Sequence, residues 1–136
     1  MAETMRLQII TPDRSICDEP VKMVEMRTAE GEIGVLPGHI PVTIMMVPGI
    51  VHITTEEGKK HAAVHDGFVE IQPDGVSIMA EMAEWPEDID LTRAENSMAR
   101  AQQRLAQAGE EIDLPRAARS LERAKTRIEL KTREWS

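Results

Sequence analysis

Val76-Ser77-Ile78-Met79-Ala80-Glu81-Met82-Ala83-Glu84-Trp85-Pro86-Glu87-Asp88-Ile89-Asp90-Leu91-Thr92-Arg93-Ala94 decides the fold, because the hydrophobic period changes inside it. Val76, Ile78, Ala80 and Met82 occupy every second position, the spacing of a strand with one buried face. Beyond Pro86, apolar residues recur every third or fourth position: Leu91, Ala94, Met98, Ala101, Leu105 and Ala108. That is one stripe of a helix. The chain therefore reads as α+β, an antiparallel β-sandwich or barrel over 1–84 followed by an antiparallel two-helix hairpin over 85–136.

Working backwards from the junction, period two recurs at Met5 to Ile9, Val21 to Met26, Ile50 to Thr54, Ala62 to His65 and Phe68 to Ile71. Turn signals divide these runs: Pro12-Asp13, Pro37-Gly38, Pro48-Gly49, Glu57-Gly58 and Pro73-Asp74-Gly75. Short strands separated by closely spaced turns predict an antiparallel sandwich or barrel, and no crossover helix fits between them.

Working forwards, Leu114, Ala117, Leu121, Ala124 and Ile128 form a second helical stripe. Gly109 suits the end of the first helix, Asp113 can cap the second, and Pro115 is tolerated in a first turn. So short a connection makes the helices antiparallel. Ile89-Asp90-Leu91-Thr92-Arg93-Ala94 is echoed by Ile112-Asp113-Leu114-Pro115-Arg116-Ala117, in each case with an acid at the positive end of a helix dipole. Alanine-rich stripes bury little area, so the hairpin is expected to depend on the sandwich, a ligand or a partner to stay closed. An element of that kind can switch between two arrangements.

Charge divides the chain in the same place. The formal charge of −8 resides in the first 84 residues, and the remainder is balanced. Within the second helix, Arg116, Arg119, Arg123, Lys125, Arg127, Lys131 and Arg133 far outweigh Glu122 and Glu129. Such a helix is either a solvated face with local pairs or a dock for an acidic surface or anion. Two Trp, one Phe and no Tyr leave little to stack on bases, and the negative charge opposes polyphosphate, so a nucleic-acid partner is not expected.

Other classes lack their signatures. Cys17 is the single cysteine, so an internal disulfide is excluded. The mostly apolar run from Ile40 to Val51 is broken by Pro41, Thr43, Pro48 and Gly49 and is too short to span a bilayer. The N-terminal residues show no signal-peptide core, which suggests a cytoplasmic protein. His61 and His65 are four apart in strand-like sequence, a spacing that does not focus them on a metal, and no metal site is expected. No nucleophile has a base beside it, no phosphate-binding glycine loop is present, and the chain reads as non-catalytic.

Glu30-Gly31-Glu32-Ile33-Gly34-Val35-Leu36-Pro37-Gly38-His39-Ile40-Pro41 resembles the signature loop of F-type ATP synthase epsilon subunits of bacterial type. Asp66-Gly67-Phe68-Val69-Glu70-Ile71 resembles their Gly-Gly-Phe strand, and Ala80 to Ala94 resembles their domain junction. Asp66 stands where the family usually has glycine, and Ile40 where a small residue is common. The resemblance implies a central-stalk subunit that couples ion-driven rotation to ATP synthesis, with the sandwich on the gamma subunit and the c-subunit ring. It implies that Gly31, Glu32 and Ile33 form an exposed loop against the ring. It also implies that the C-terminal helices reach the alpha and beta subunits and inhibit ATP hydrolysis, with Arg116, Arg119, Arg123 and Arg127 in that docking. Localisation would be the cytoplasmic face of the cell membrane, attached only through the complex.

Some bacterial members of the family bind ATP as a regulatory ligand through Ile/Leu-Asp-x-x-Arg-Ala, which Ile89 to Ala94 matches; no cofactor is otherwise required. The resemblance extends that set to Glu84, Asp90, Arg93, Arg100, Arg123 and Arg127. Spacing is compatible with it. Arg93 and Arg100 share one helix face, as do Arg123 and Arg127, and folding about residue 111 brings the two faces together. Four forked guanidinium groups suit a triphosphate. The competing readings are that Asp90 and Arg93 only start and brace the first helix, that the chain is a free-standing nucleotide sensor of the same fold, or that it is a nucleic-acid-binding β-domain.

Overall fold

The computed structural model describes residues 3–107 and 114–133. Ten strands form two five-stranded sheets: β1 Met5–Ile10, β2 Ser15–Val21, β3 Met23–Thr28, β4 Gly31–Val35, β5 Val42–Met45, β6 Gly49–Thr55, β7 Gly58–His65, β8 Phe68–Gln72, β9 Gly75–Met79 and β10 Met82–Glu84. One sheet has the order β2-β1-β9-β8-β5 and the other β10-β7-β6-β3-β4. The side chains of Leu7, Ile9, Val24, Val51, Ile53, Val64, Val69, Ile71 and Ile78 fill the space between the sheets. Sandwich packing is what the period-two pattern demands, since each sheet has one apolar face to remove from water.

The pairing is not wholly antiparallel. β1 lies parallel to β9, with Leu7 opposite Val76 and Ile9 opposite Ile78. No crossover helix is needed, because the chain travels through the other sheet between these strands. The alternating run from Val76 to Met82 is also two strands rather than one. At Ala80 and Glu81 the chain leaves the first sheet and enters the second, where β10 pairs with β7. Gly31, Glu32 and Ile33 belong to no loop: they open β4, at the edge of the second sheet, opposite Thr28, Arg27 and Met26. Gly31, at φ +117°, lets the chain reverse out of the β3–β4 turn.

A short 3-10 turn, Pro86–Asp88, joins the sandwich to α1 Leu91–Ala106, which is followed by α2 Leu114–Thr132. Asp88 closes the turn by accepting from the Trp85 amide at 3.2 Å. Asp90 caps α1, its carboxylate accepting from the Arg93 amide at 3.1 Å. The expected end at Gly109 and cap at Asp113 lie outside the described residues. Ala94 and Ala101 of α1 and Ala117 and Ala124 of α2 are buried, as the alanine stripes predict. The helices run antiparallel: Lys131, near the end of α2, donates to the Pro86 carbonyl just before α1 at 3.0 Å.

The hairpin lies on the outer face of the second sheet. Leu130 packs with Ile89 and Ala63, against which Ile50 also rests. This explains why Ala62, Ala63, Val64 and His65 are consecutively buried at the end of β7. The core lies on one side of that strand and α2 on the other.

Candidate functional site

At the end of β10 the first half of the molecule meets both helices. Met82, Glu84, Asp88, Asp90, Arg93, Ala94, Ser97 and Arg127 line a cleft of about 410 Å³, within the range of small-molecule sites. Four of the six nucleotide-site candidates thus share one wall-to-wall space: Glu84, Asp90, Arg93 and Arg127. Arg100 lies two turns beyond Arg93 along α1 and donates to Ser97 Oγ, on the cleft wall, at 3.1 Å. Arg123 is directed elsewhere, its Nε donating to Asp66 Oδ2 at 3.1 Å. Two of the four expected guanidinium groups therefore line the cleft, one borders it and one is held by the sandwich.

The polar centre of this junction is Glu84. Its Oε1 accepts from Arg127 Nε at 2.6 Å and is within 3.2 Å of His65 Nε2. Arg127 also reaches Met82 Sδ at 3.5 Å. His65 is wholly buried, and burial is the main reason its pKa falls below the ordinary 6.5; the nearby Arg127 and Arg123 act in the same sense, while Glu84 opposes them. The His65–Glu84 contact is therefore a hydrogen bond from neutral imidazole, with Nε2–H donating. Nδ1, the acceptor nitrogen in that tautomer, has no hydrogen-bond partner among the described residues. Burial alone would raise the Glu84 pKa, but the hydrogen bonds from His65 and Arg127 outweigh it and hold the carboxyl below 4.5. Glu84 is an anion at neutral pH.

Sequence reasoning missed His65 and Asp66 as members of this junction. The signal for His65 was present: Ala62 to His65, grouped above with the period-two runs, does not alternate, and a strand buried on both faces must be covered.

The remaining candidates are spread out. Arg116 and Arg119 are exposed in the first turns of α2. Glu32 is exposed on β4, and Leu36 and Ile40, on the link from β4 to β5, have 58% and 73% of their surface in water. Met45, on edge strand β5, is 61% exposed. So much apolar surface at the sandwich edge is a mark of an interface.

Two family models divide the chain between them: the β-sandwich domain of the ATP synthase delta/epsilon chain matches residues 4–86, and the long α-helix domain of the same chain matches 87–131. The chain belongs to the ATP synthase delta/epsilon family. Curated relatives named ATP synthase epsilon chain include those of Halalkalibacterium halodurans, 43% identical over 105 residues (77% of this chain and 79% of the relative), and Bacillus subtilis, 42% identical over 103 residues (76% and 78%). A chain in the Euglena gracilis mitochondrial ATP synthase, a structure of OSCP, F1 and c-ring, superimposes with a TM-score of 0.80 at 27% identity, covering 90% of this chain and 78% of that one. A chain of the Tetrahymena thermophila mitochondrial ATP synthase central stalk and c-ring has the same fold, with a TM-score of 0.57 at 12% identity and coverage of 96% and 95%. Epsilon-type identity and the sandwich-then-hairpin architecture are thus established together. Among the described residues no helix is long and apolar enough to cross a membrane, and no group of three or more His, Cys, Asp or Glu side chains is placed to hold a metal ion.

Proposed function

We propose that this chain is a non-catalytic central-stalk subunit of an F-type ATP synthase, coupling ion-driven rotation to ATP synthesis and restraining ATP hydrolysis through its C-terminal helices. The β-sandwich is the fixed part. Its exposed edge, with Glu32, Leu36, Ile40 and Met45, supplies apolar and acidic surface to the gamma subunit and the c-subunit ring. The hairpin is the movable part. It is held to the sandwich by a small apolar contact around Leu130 and by the ion pairs Arg127–Glu84, Arg123–Asp66 and Arg27–Glu122. Released, it presents Arg116, Arg119, Arg123 and Arg127 to the alpha and beta subunits. The complex works at the cytoplasmic face of the membrane.

ATP is the regulatory ligand of the hairpin in this proposal. The observation that carries it is the cleft where Glu84, Asp90, Arg93 and Arg127 converge from the sandwich, the start of α1 and the end of α2. A ligand spanning these elements stabilises the closed hairpin by mass action, by about 2.7 kcal/mol at 100 times its Kd. Asp90 is already engaged as a helix cap, so its part is to fix Arg93 at the cleft rim as well as to meet the nucleotide. Calorimetry of the whole chain with ATP tests this: saturable heat at millimolar ATP or below, lost in Arg93→Ala, is expected. Absence of heat ends the nucleotide reading while leaving the stalk assignment intact.

A further inference from the structure

Asp66 occupies a backbone position that suits glycine. Its φ is +61°, and it shares the two-residue link between β7 and β8 with Gly67 at φ +98°. An L side chain is strained in the left-handed region, Asp and Asn least among them. The link is also closely packed. A Cβ on Gly67 would lie 2.0 Å from the Met79 carbonyl oxygen, and the Gly67 carbonyl accepts from the Met46 amide at 2.9 Å. The Asp66 carboxylate is therefore presented to α2 from a packed corner between the two sheets.

What it meets there is Arg123, with Oδ2 3.1 Å from Nε and only 19% and 25% of the two side chains exposed. One turn further along α2, Arg127 is held the same way by Glu84. The sandwich thus supplies two carboxylates to the two arginines that a polyphosphate would otherwise attract. A guanidinium edge engaged by a carboxylate cannot present that edge to phosphate oxygens.

We propose that Asp66 is an internal counter-anion for Arg123, which closes the hairpin in the absence of nucleotide and competes with a nucleoside triphosphate for that arginine. This inference rests on the reading of the cleft as an ATP site. In this chain the closed hairpin is then less dependent on ATP, and ATP binds more weakly, than if residue 66 carried no charge. The absence of Arg123 from the cleft wall follows directly, since the corner draws it away.

The test is Asp66→Asn in the full chain, because the amide keeps the size and the tolerance of a left-handed backbone while removing the charge. Hydrogen exchange of α2 without nucleotide and calorimetric ATP affinity are read on the same protein. Protection of α2 is expected to fall about three- to tenfold, and ATP to bind tighter by a similar factor. Asp66→Gly, which relaxes the backbone, is expected to give the same two shifts; a shift in Asp66→Gly alone marks strain as the cause, a shift in Asp66→Asn alone marks the new amide rather than the lost charge, and either overturns the proposal. Unchanged α2 protection overturns it as well. Wild-type chain that binds ATP with an affinity equal to that of Asp66→Asn overturns the competition alone. If neither protein takes up millimolar ATP, the nucleotide site itself fails and the competition with it.

Discussion

Arg127 and Glu84 are joined by a 2.6 Å hydrogen bond from guanidinium Nε to carboxylate Oε1, across 43 residues of sequence. Each side chain is about one-fifth exposed, so water screens the pair only in part. It ties the last turns of α2 to the last residue of the sandwich. Glu84→Gln keeps the shape and removes the charge. It is expected to weaken hairpin docking by about 1–3 kcal/mol, the cost of leaving a charged group underpaired. Faster proteolysis of α2, with the sandwich intact, is the measurement that checks this.

The same carboxylate gives the docking a pH dependence. The folded-state pKa of His65 is lowered chiefly by burial, so the closed state prefers neutral imidazole. That contribution is present above the unperturbed 6.5 and is lost as pH falls below it. Glu84 is depressed below 4.5, so its contribution survives to lower pH and is lost as pH falls through its folded value. His61, lowered first by burial and then by His52, Lys59 and Arg133, acts in the same direction as His65. Acidification from about pH 7.5 to 5.5 therefore loosens the hairpin through histidine. His65→Gln is expected to reduce, without abolishing, that loss of α2 protection in hydrogen exchange.

Leu130 is the largest apolar side chain fixing α2 to the sheet, and it is 1% exposed. Leu130→Ala removes most of that contact with Ala63 and Ile89. The expected loss is about 2–4 kcal/mol, confined to the hairpin. Urea unfolding of a Trp135→Phe background, followed separately at Trp85 and by helical circular dichroism, should show the helical signal lost first in Leu130→Ala, where the parent loses both closer together.

The fold was legible where strands are central and illegible where they are peripheral. β1, β3, β6, β8 and β9 each cover core on one face and alternate visibly, while the end of β7, covered on both faces, does not. β2, β4, β5 and β10 are the four sheet edges, and none was separately readable. An edge strand has a neighbour on one side only, so it tolerates Pro20 in β2 and Gly31 and Gly34 in β4, which in the sequence read as breaks. The parallel β1–β9 pair was hidden because alternation reports a face and not a partner.

The site shows the same division. Glu84, Asp90, Arg93 and Arg127, four of the six residues that the family resemblance put forward, line one cleft. The Arg123–Asp66 pair was not legible, because 57 residues separate them and Asp66 showed only as a departure from an expected glycine. Helical spacing places Arg123 on one face with Arg127, but only the three-dimensional corner shows which anion takes it.

Glu32 is exposed on edge strand β4, and exposed Leu36 and Ile40 lie on the link that joins β4 to β5. The Glu32 charge is expected to contribute to coupling and to leave the fold alone, as an exposed strand substitution changes stability by about 0.5 kcal/mol or less. Glu32→Lys in the assembled enzyme should lower ATP-driven ion pumping in vesicles while the isolated subunit keeps its unfolding midpoint.

Association with the shaft of the motor is the direct test. The isolated chain and purified gamma subunit from the same organism, mixed at micromolar concentrations, are expected to elute together as a one-to-one complex, and to do so equally well when the chain is cut after Asp88. Separate elution of gamma and the intact chain would contradict the account.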